Sequence, residues 1–207
     1  MSQFFQIHPE NPQPRLVKQA VDIIQKGGLA VLPTECAYIL VCHIGDKSAM
    51  ERMRALRQLN VKHNYTLLCR DLSELSNYAK VDNVTYRQLK QHTPGAFTFI
   101  LNATKEVPKR LIQPKKKTIG VRVPNNAILL AILEELNEPL MSTSLIMPED
   151  ELPLSDPYDI RQTLEHSLDL VIDGGYCGLE ASTVLDLTAE EVVILRQGVG
   201  DASAFFE

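Results

Sequence analysis

Several familiar signatures are missing from this 207-residue sequence, and each absence closes off a class of function. Its four cysteines, Cys36, Cys42, Cys69 and Cys177, include no CxxC pair, which argues against a zinc site or a dithiol redox motif. Three of them sit in or beside apolar runs, where a reduced cysteine serves as a small core residue. The five histidines form no HxxxH or HExxH pattern, so no metal site is expected. There is no GxxxxGK[ST] loop, no GxGxxG after a strand and no GxSxG elbow, which removes the common phosphate cradles and the hydrolase nucleophile. No apolar run approaches the roughly 20 residues that span a bilayer. The segment Met1 to Pro14 is polar and lacks the basic flank and apolar stretch of a signal peptide. A cytoplasmic protein without membrane contact is expected.

What is present is an ordinary globular composition, 44% hydrophobic and 23% charged, long enough for one sizeable core. One domain over 1–207 is the expectation. The net charge is −5, which speaks against a general polyanion binder, but the basic residues are not spread evenly. Residues 47–70 hold Lys47, Arg52, Arg54, Arg57, Lys62 and Arg70 against Glu51 alone. Residues 105–122 hold Lys105, Lys109, Arg110, Lys115, Lys116, Lys117 and Arg122 against Glu106 alone. An acidic body with two basic segments can hold an anion locally; two solvated faces are the other reading of the same pattern.

The periodicity predicts alternating helices and strands. Helices are expected over 11–26, 47–59, 72–78, 84–91, 127–136 and 159–168, with a helical turn at 107–112. Strands are expected at 3–7, 29–32, 38–43, 66–69, 97–101, 118–123, 140–145 and 170–172, with a closing pair at 182–187 and 192–196. The acidic, proline-containing segment 147–157 reads as a loop or lid. This order predicts an α/β fold: a single-domain open twisted mixed sheet with flanking helices. Arg122 stands out because it interrupts an apolar strand, where a guanidinium needs a partner or a ligand. Thr34 after Pro33 has a second reading as a turn former, and Thr118 as a strand residue. Composition and spacing stop at an α/β domain with a basic site.

Seven short segments in register go further. They are Pro33-Thr34-Glu35, Leu56-Arg57-Gln58, Thr93-Pro94-Gly95 with Thr98, Thr118 to Pro124, Ser142-Thr143-Ser144, Asp173-Gly174-Gly175 with Ser182-Thr183-Val184, and Leu195-Arg196-Gln197-Gly198. In this order the chain resembles the YrdC/YciO family from about Ile23 to Gly198. The segments Leu56-Arg57-Gln58-Leu59, His63-Asn64-Tyr65-Thr66-Leu67 and Ser142-Thr143-Ser144-Leu145 are most similar to its YciO branch. Since the resemblance runs to Gly198, close to the end of the sequence, the C-terminal domain of longer relatives is not expected here.

The resemblance implies a concave basic groove with affinity for ATP and double-stranded RNA or tRNA. It also implies chemistry like that of threonylcarbamoyl-AMP synthases, which join L-threonine, bicarbonate and ATP, release pyrophosphate and serve tRNA modification at adenosine 37. ATP would be a substrate, accompanied by Mg2+, with no tightly bound cofactor. Carried over by motif, Arg57, Thr118, Ser144, Ser182 and Arg196 would bind the nucleotide, and Thr34, Arg122 and Ser142 the amino acid. Arg122 suits a carboxylate because its guanidinium is a planar fork. Arg52, Arg54, Lys62, Lys109, Arg110, Lys115, Lys116 and Lys117 would contact RNA. No covalent catalytic residue is assigned.

The sequence departs from the family pattern at three places. Leu59 stands where the KxR signature has its second cation, Ile146 where SxN has its Asn, and Ile39 where the family prefers Gly. Losing one transition-state donor at a phosphate site costs on the order of 10²-fold in rate. A slow synthase, an adenylating enzyme for another amine and a noncatalytic RNA-binding translation or ribosome factor all follow from the pattern. An unrelated small-molecule enzyme using Ser142 or Ser144 is a more distant alternative.

Overall fold

A computed structural model describes residues 1–60 and 63–206. Ten strands form one mixed sheet: β1 (Gln3–Gln6), β2 (Ala30–Leu32), β3 (Ile39–His43), β4 (Thr66–Leu68), β5 (Phe97–Asn102), β6 (Thr118–Arg122), β7 (Leu140–Ser144), β8 (Leu170–Asp173), β9 (Thr183–Asp186) and β10 (Val193–Arg196). Their order across the sheet is β1-β8-β2-β3-β7-β4-β6-β5-β9-β10. The pairs β1/β8, β2/β8, β4/β6 and β5/β9 are parallel and the other five antiparallel. The expected mixed α/β sheet is therefore what forms.

Six helices flank it: α1 (Pro14–Gln25), α2 (Lys47–Arg57), α3 (Leu72–Tyr78), α4 (Asn83–His92), α5 (Ala127–Leu136) and α6 (Pro157–Leu164). Their ends follow capping chemistry. Asp46, Asp71, Asp82, Asn126 and Asp156 each accept backbone N–H groups of the first turn. Helix α1 starts at Pro14 rather than Asn11, because proline suits the first helical position. It ends where Gly27 turns left-handed (φ 87°), with Gly27 N–H on Ile24 and Gly28 N–H on Ile23 closing the last turn. Helix α6 starts at Pro157 for the same reason and stops four residues short of Leu168. The expected helical turn at 107–112 is an irregular hydrogen-bonded turn, Leu111 N–H to the Pro108 carbonyl, with Val107 and Leu111 buried. A short 3-10 turn, Ala202–Phe205, closes the chain.

Alternation along the strands divides the core in two. Ala30, Leu32, Ile39, Val41, Leu140, Leu170 and Ile172 pack with α1 and α5 on one face. Val31, Leu40, Cys42, Leu67, Phe99, Val121 and Met141 point to the other, where Met53, Leu75 and Leu89 of α2, α3 and α4 cover them. Fully burying each Leu or Ile contributes about 1.5–3 kcal/mol relative to leaving it exposed. Helices α1 and α5 cover only part of the first face. The part they leave open carries the site.

Candidate functional site

Cross-strand register assembles the open half-face. Ile39 lies opposite Ser144, and Val41 opposite Ser142. Ser142 lies opposite Thr66, Thr66 opposite Gly120, and Gly120 opposite Ile100. Leu68 pairs with Arg122, Thr98 with Val184, and Val184 with Arg196. Side chains directly opposite share a face, so distant parts of the chain converge on one floor. Gly120 keeps that floor flat, since a Cβ there would stand 2.8 Å from Thr66 Oγ1. The result is an open cavity of about 260 Å³. Two loops wall it, one through Thr34 and Cys36 to Tyr38 and the other through Ala181 and Ser182; they pack together at Gly178, where a Cβ would meet the Cys36 carbonyl at 2.8 Å.

Three arginines meet around this space. Arg122 is 3% exposed. Its Nη2 lies 2.9 Å from Glu35 Oε1 and donates to Cys36 Sγ at 3.2 Å, while its Nε has no partner. The Glu35 contact is an ion pair without hydrogen-bond alignment, which leaves both carboxylate oxygens unsatisfied. Arg196 donates from Nε and Nη2 to the Ser182 carbonyl at 3.0 and 2.9 Å. Arg57, at the end of α2, donates from Nε to the Ser144 carbonyl at 2.8 Å. Burial lowers the pKa of Arg57, and burial followed by the charge of Arg122 lowers that of Arg196. Among the described residues no carboxylate forms an ion pair with Arg57 or Arg196. Partly buried cations without counter-ions favour an incoming anion.

The hydroxyl groups divide into lining and supporting roles. Thr34 lines the cavity, but its Oγ1 is committed to its own turn: it donates to the Ala37 carbonyl at 2.7 Å and accepts from Cys36 and Ala37 N–H. That turn fixes the Glu35 backbone beside Arg122. Ser142 donates to the Thr66 carbonyl at 3.1 Å, and Ser182 and Thr98 share a 2.8 Å hydroxyl contact. Ser142, Ser144 and Ser182 all line the cavity. Thr118 does not: it sits on the same face of β6, fully buried, with no partner for its hydroxyl.

Sequence reasoning missed His63 and Asn64 as lining residues. His63 Nε2 is 3.1 Å from Thr143 Oγ1, and its ring meets Tyr65 edge-on. Burial, then the charges of Arg57 and Arg196, push its pKa down to about 4. Asn64 buries an unpartnered Oδ1 in the cavity wall. The available signal was two polar residues between the α2 C-terminus and an apolar strand. Of the residues expected to weaken catalysis, Leu59 packs against the opposite core and Ile146 is half-buried away from the cavity. Ile39 alone lines the cavity. All four cysteines are buried and free, and burial raises the thiol pKa of each.

The basic segments behave unevenly. Arg52 pairs with Asp169 at 2.7 Å, Arg54 holds the Leu59 carbonyl and Arg110 the Ile44 carbonyl, so these three bind the protein itself. Lys109, Lys115, Lys116 and Lys117 are exposed. The lysine run forms a tight turn: Lys117 N–H bonds the Gln113 carbonyl, Lys116 N–H the Gln113 side chain, and Lys117 is left-handed. Lys116 Nζ lies 3.4 Å from Asp186 at the edge of the same sheet face. Lys62 lies outside the described residues. Among the described residues no cluster of three His, Cys, Asp or Glu could hold a metal ion, and no helix is long and apolar enough to cross a membrane.

Comparison with known proteins agrees with this geometry. The Sua5/YciO/YrdC family model, described as telomere recombination, matches residues 22–198. YciO of Escherichia coli strain K12 is 57% identical over 99% of this chain and all of its own. Its crystal structure superposes with a TM-score of 0.97, covering 99% of this chain and 100% of that one. Sua5 of P. abyssi complexed with L-threonine shares the fold at 24% identity, with a TM-score of 0.87 over 95% of this chain and 58% of its own. The matched span holds every strand from β2 to β10 and all three site arginines, and by it the chain belongs to the Sua5/YciO/YrdC family.

Proposed function

We propose that this cavity binds ATP together with a small α-amino acid, L-threonine foremost, and that the chain is a slow threonylcarbamoyl-AMP synthase-like enzyme. The observation that carries this reading is the meeting of Arg57, Arg122 and Arg196 around one cavity, two of them without a carboxylate partner among the described residues. Such a site suits a reaction whose reactants and transition state are anionic throughout. The ammonium group first loses a proton, the free amine adds to bicarbonate with loss of water to give a carbamate, a carbamate oxygen then attacks the α-phosphorus, and the bond to pyrophosphate breaks. The protein supplies placement and fixed positive charge rather than a nucleophile. Arg122 is the group for the amino-acid carboxylate, displacing Glu35, whose oxygens lack hydrogen bonds. Arg57 and Arg196 are the groups for phosphate oxygens. Mg2+ would arrive with the triphosphate. The P. abyssi complex with L-threonine supports the choice of amino acid by kinship. Ile39 narrows the cavity and accounts for a low rate.

Duplex RNA or tRNA is the macromolecular partner in this reading, met by Lys109, Lys115 and Lys117 at the surface. The test is pyrophosphate release from ATP in the presence of L-threonine and bicarbonate, dependent on all three and lost in Arg196→Ala. ATP with Mg2+ should also raise the melting temperature. No release and no melting shift at millimolar ATP would overturn the assignment. A melting shift without release would leave a nucleotide- and RNA-binding factor in its place.

A further inference from the structure

Arg57 and Arg196, the groups proposed for phosphate oxygens, share their surroundings with a third titratable side chain. His63 lines the cavity from the segment between α2 and β4. It and Arg57 are tied to consecutive residues at the end of β7: His63 Nε2 lies 3.1 Å from Thr143 Oγ1, and Arg57 Nε donates to the Ser144 carbonyl at 2.8 Å. Arg196, held on the Ser182 carbonyl, acts on the ring from the end of β10, and Tyr65 meets it edge-on at 5.3 Å. Among the described residues the charges that act on the imidazole are those two arginines, and no carboxylate joins them.

These surroundings keep the ligand-free imidazole neutral. Burial disfavours the cation first and the two positive charges repel it further, so the pKa falls to about 4. A polyphosphate seated on Arg57 and Arg196 reverses the second cause. It cancels both repulsions and places negative charge near the ring, which favours imidazolium. The Thr143 contact survives the change, because a hydroxyl can donate to a neutral ring nitrogen and accept from a protonated one. The other titratable groups lining the cavity cannot respond in this way. Arg122 and Arg196 are already charged, and burial holds Cys36 and Tyr38 in their protonated forms.

We infer that His63 is a polyphosphate-binding residue that takes up a proton as the nucleotide binds, supplying a further positive charge in the liganded state alone. The inference rests on the nucleotide reading of the cavity and names the residue through which binding there becomes sensitive to pH. Affinity should be greatest in acid and decline as pH rises, by up to about tenfold per pH unit between the free value of the imidazole and its higher value in the complex.

Titration calorimetry with ATP and Mg2+, in buffers of different ionisation enthalpy at about pH 5.5 and 6.5, a range below the ordinary imidazole value, counts the protons taken up. The parent should take up about 0.5–1 proton more per nucleotide than His63→Gln. That difference isolates the imidazole, because protons exchanged by the nucleotide itself are common to both proteins. His63→Lys, which carries its charge throughout this range, should bind ATP more tightly than His63→Gln and without the extra proton. Melting curves confirm that each variant folds. Nitrogen NMR of the imidazoles needs no variant: one ring of the parent should pass from the neutral to the protonated pattern on addition of ATP and Mg2+. Equal proton uptake by the parent and His63→Gln, or imidazoles unchanged at saturation, overturns the inference and leaves the nucleotide site standing. Absence of ATP binding by the parent overturns the nucleotide reading, and this inference with it.

Discussion

Two halves of one sheet face differ in what covers them, and individual strands cross the boundary. Along β7, Leu140 is fully buried beneath the helices while Ser142 and Ser144, two and four residues on, line the cavity. Along β4, Thr66 lines the cavity, and Leu68 belongs both to its wall and to the helix-packed core. Backbone and register are continuous across the change. What changes is the cover: α1 and α5 lie over one half with Val17, Ile24, Ile132 and Leu133, and among the described residues no helix lines the other. The covered half spends its side chains on burial. The open half can carry buried arginines, unsatisfied oxygens and glycine without losing the sheet, because its stability comes from the opposite face. The site is thus a helix-sized gap in an otherwise ordinary two-layer packing.

The contrast is sharpest when one residue is removed from each half. Leu133→Ala deletes a fully buried side chain of α5 and should lower unfolding free energy by about 2–5 kcal/mol. Ser142→Ala, on the same face, removes one hydrogen bond to the Thr66 carbonyl and should cost about 1 kcal/mol or less. Urea unfolding measures both. Equal losses would mean that the open half is packed as firmly as the covered one, and the division would fail.

The covered half was the legible one. Helix α5 is read to the residue because an asparagine cap, Asn126, precedes an apolar run that ends in left-handed Asn137. Strands announce themselves as apolar runs, and Arg122 was conspicuous because it breaks one. The open half is made by register between strands far apart in sequence, and no local pattern carries that. Thr98 meets Ser182 across 84 residues, and Arg57 meets Ser144 across 87. Thr34 and Thr118 had the right residue type in the right segment, yet the Thr34 hydroxyl is spent within its turn and Thr118 sits buried beyond the cavity. His63 and Asn64 lie between α2 and β4, and sequence does not say which loop side chains turn inward.

Acid should separate the halves as well. His63 has its pKa lowered to about 4 by burial and by Arg57 and Arg196, against about 6.5 in an unfolded chain. Between these values the unfolded state binds the extra proton, so this contribution to stability is complete above pH 6.5 and declines as pH falls toward 4. Discounted for the partial exposure of the ring, the loss is about 1–2 kcal/mol. His63→Gln should flatten this part of the pH–stability profile and leave the neutral-pH value nearly unchanged. A profile identical to that of the parent between pH 6.5 and 4 would show that the imidazole is not held neutral by its burial and the two arginines.

The smallest effect concerns the rim of the open half, where solvent competes for every charge. Lys115, Lys116 and Lys117 occupy a tight turn closed on Gln113, and all three side chains reach solvent. Their contribution to a phosphate backbone is a matter of counterion release, worth roughly 0.9 in the slope of log affinity against log salt for each contact on a B-form duplex. They are not equivalent, however. Lys116 already faces Asp186 at 3.4 Å and must leave that carboxylate to reach a phosphate, so part of its gain is lost. Lys115→Ala and Lys117→Ala should therefore each flatten the salt slope for duplex RNA by about 0.9, and Lys116→Ala by distinctly less. The melting shift with ATP should be unchanged in all three, since none of these lysines lines the cavity. Binding measured from low to moderate salt decides the matter. If the triple alanine variant keeps the affinity and slope of the parent, the turn is a solvated surface feature and RNA lies elsewhere. If instead the ATP response falls with the RNA slope, rim and floor act as one site, and the boundary drawn around the cavity must be moved outward to include the turn.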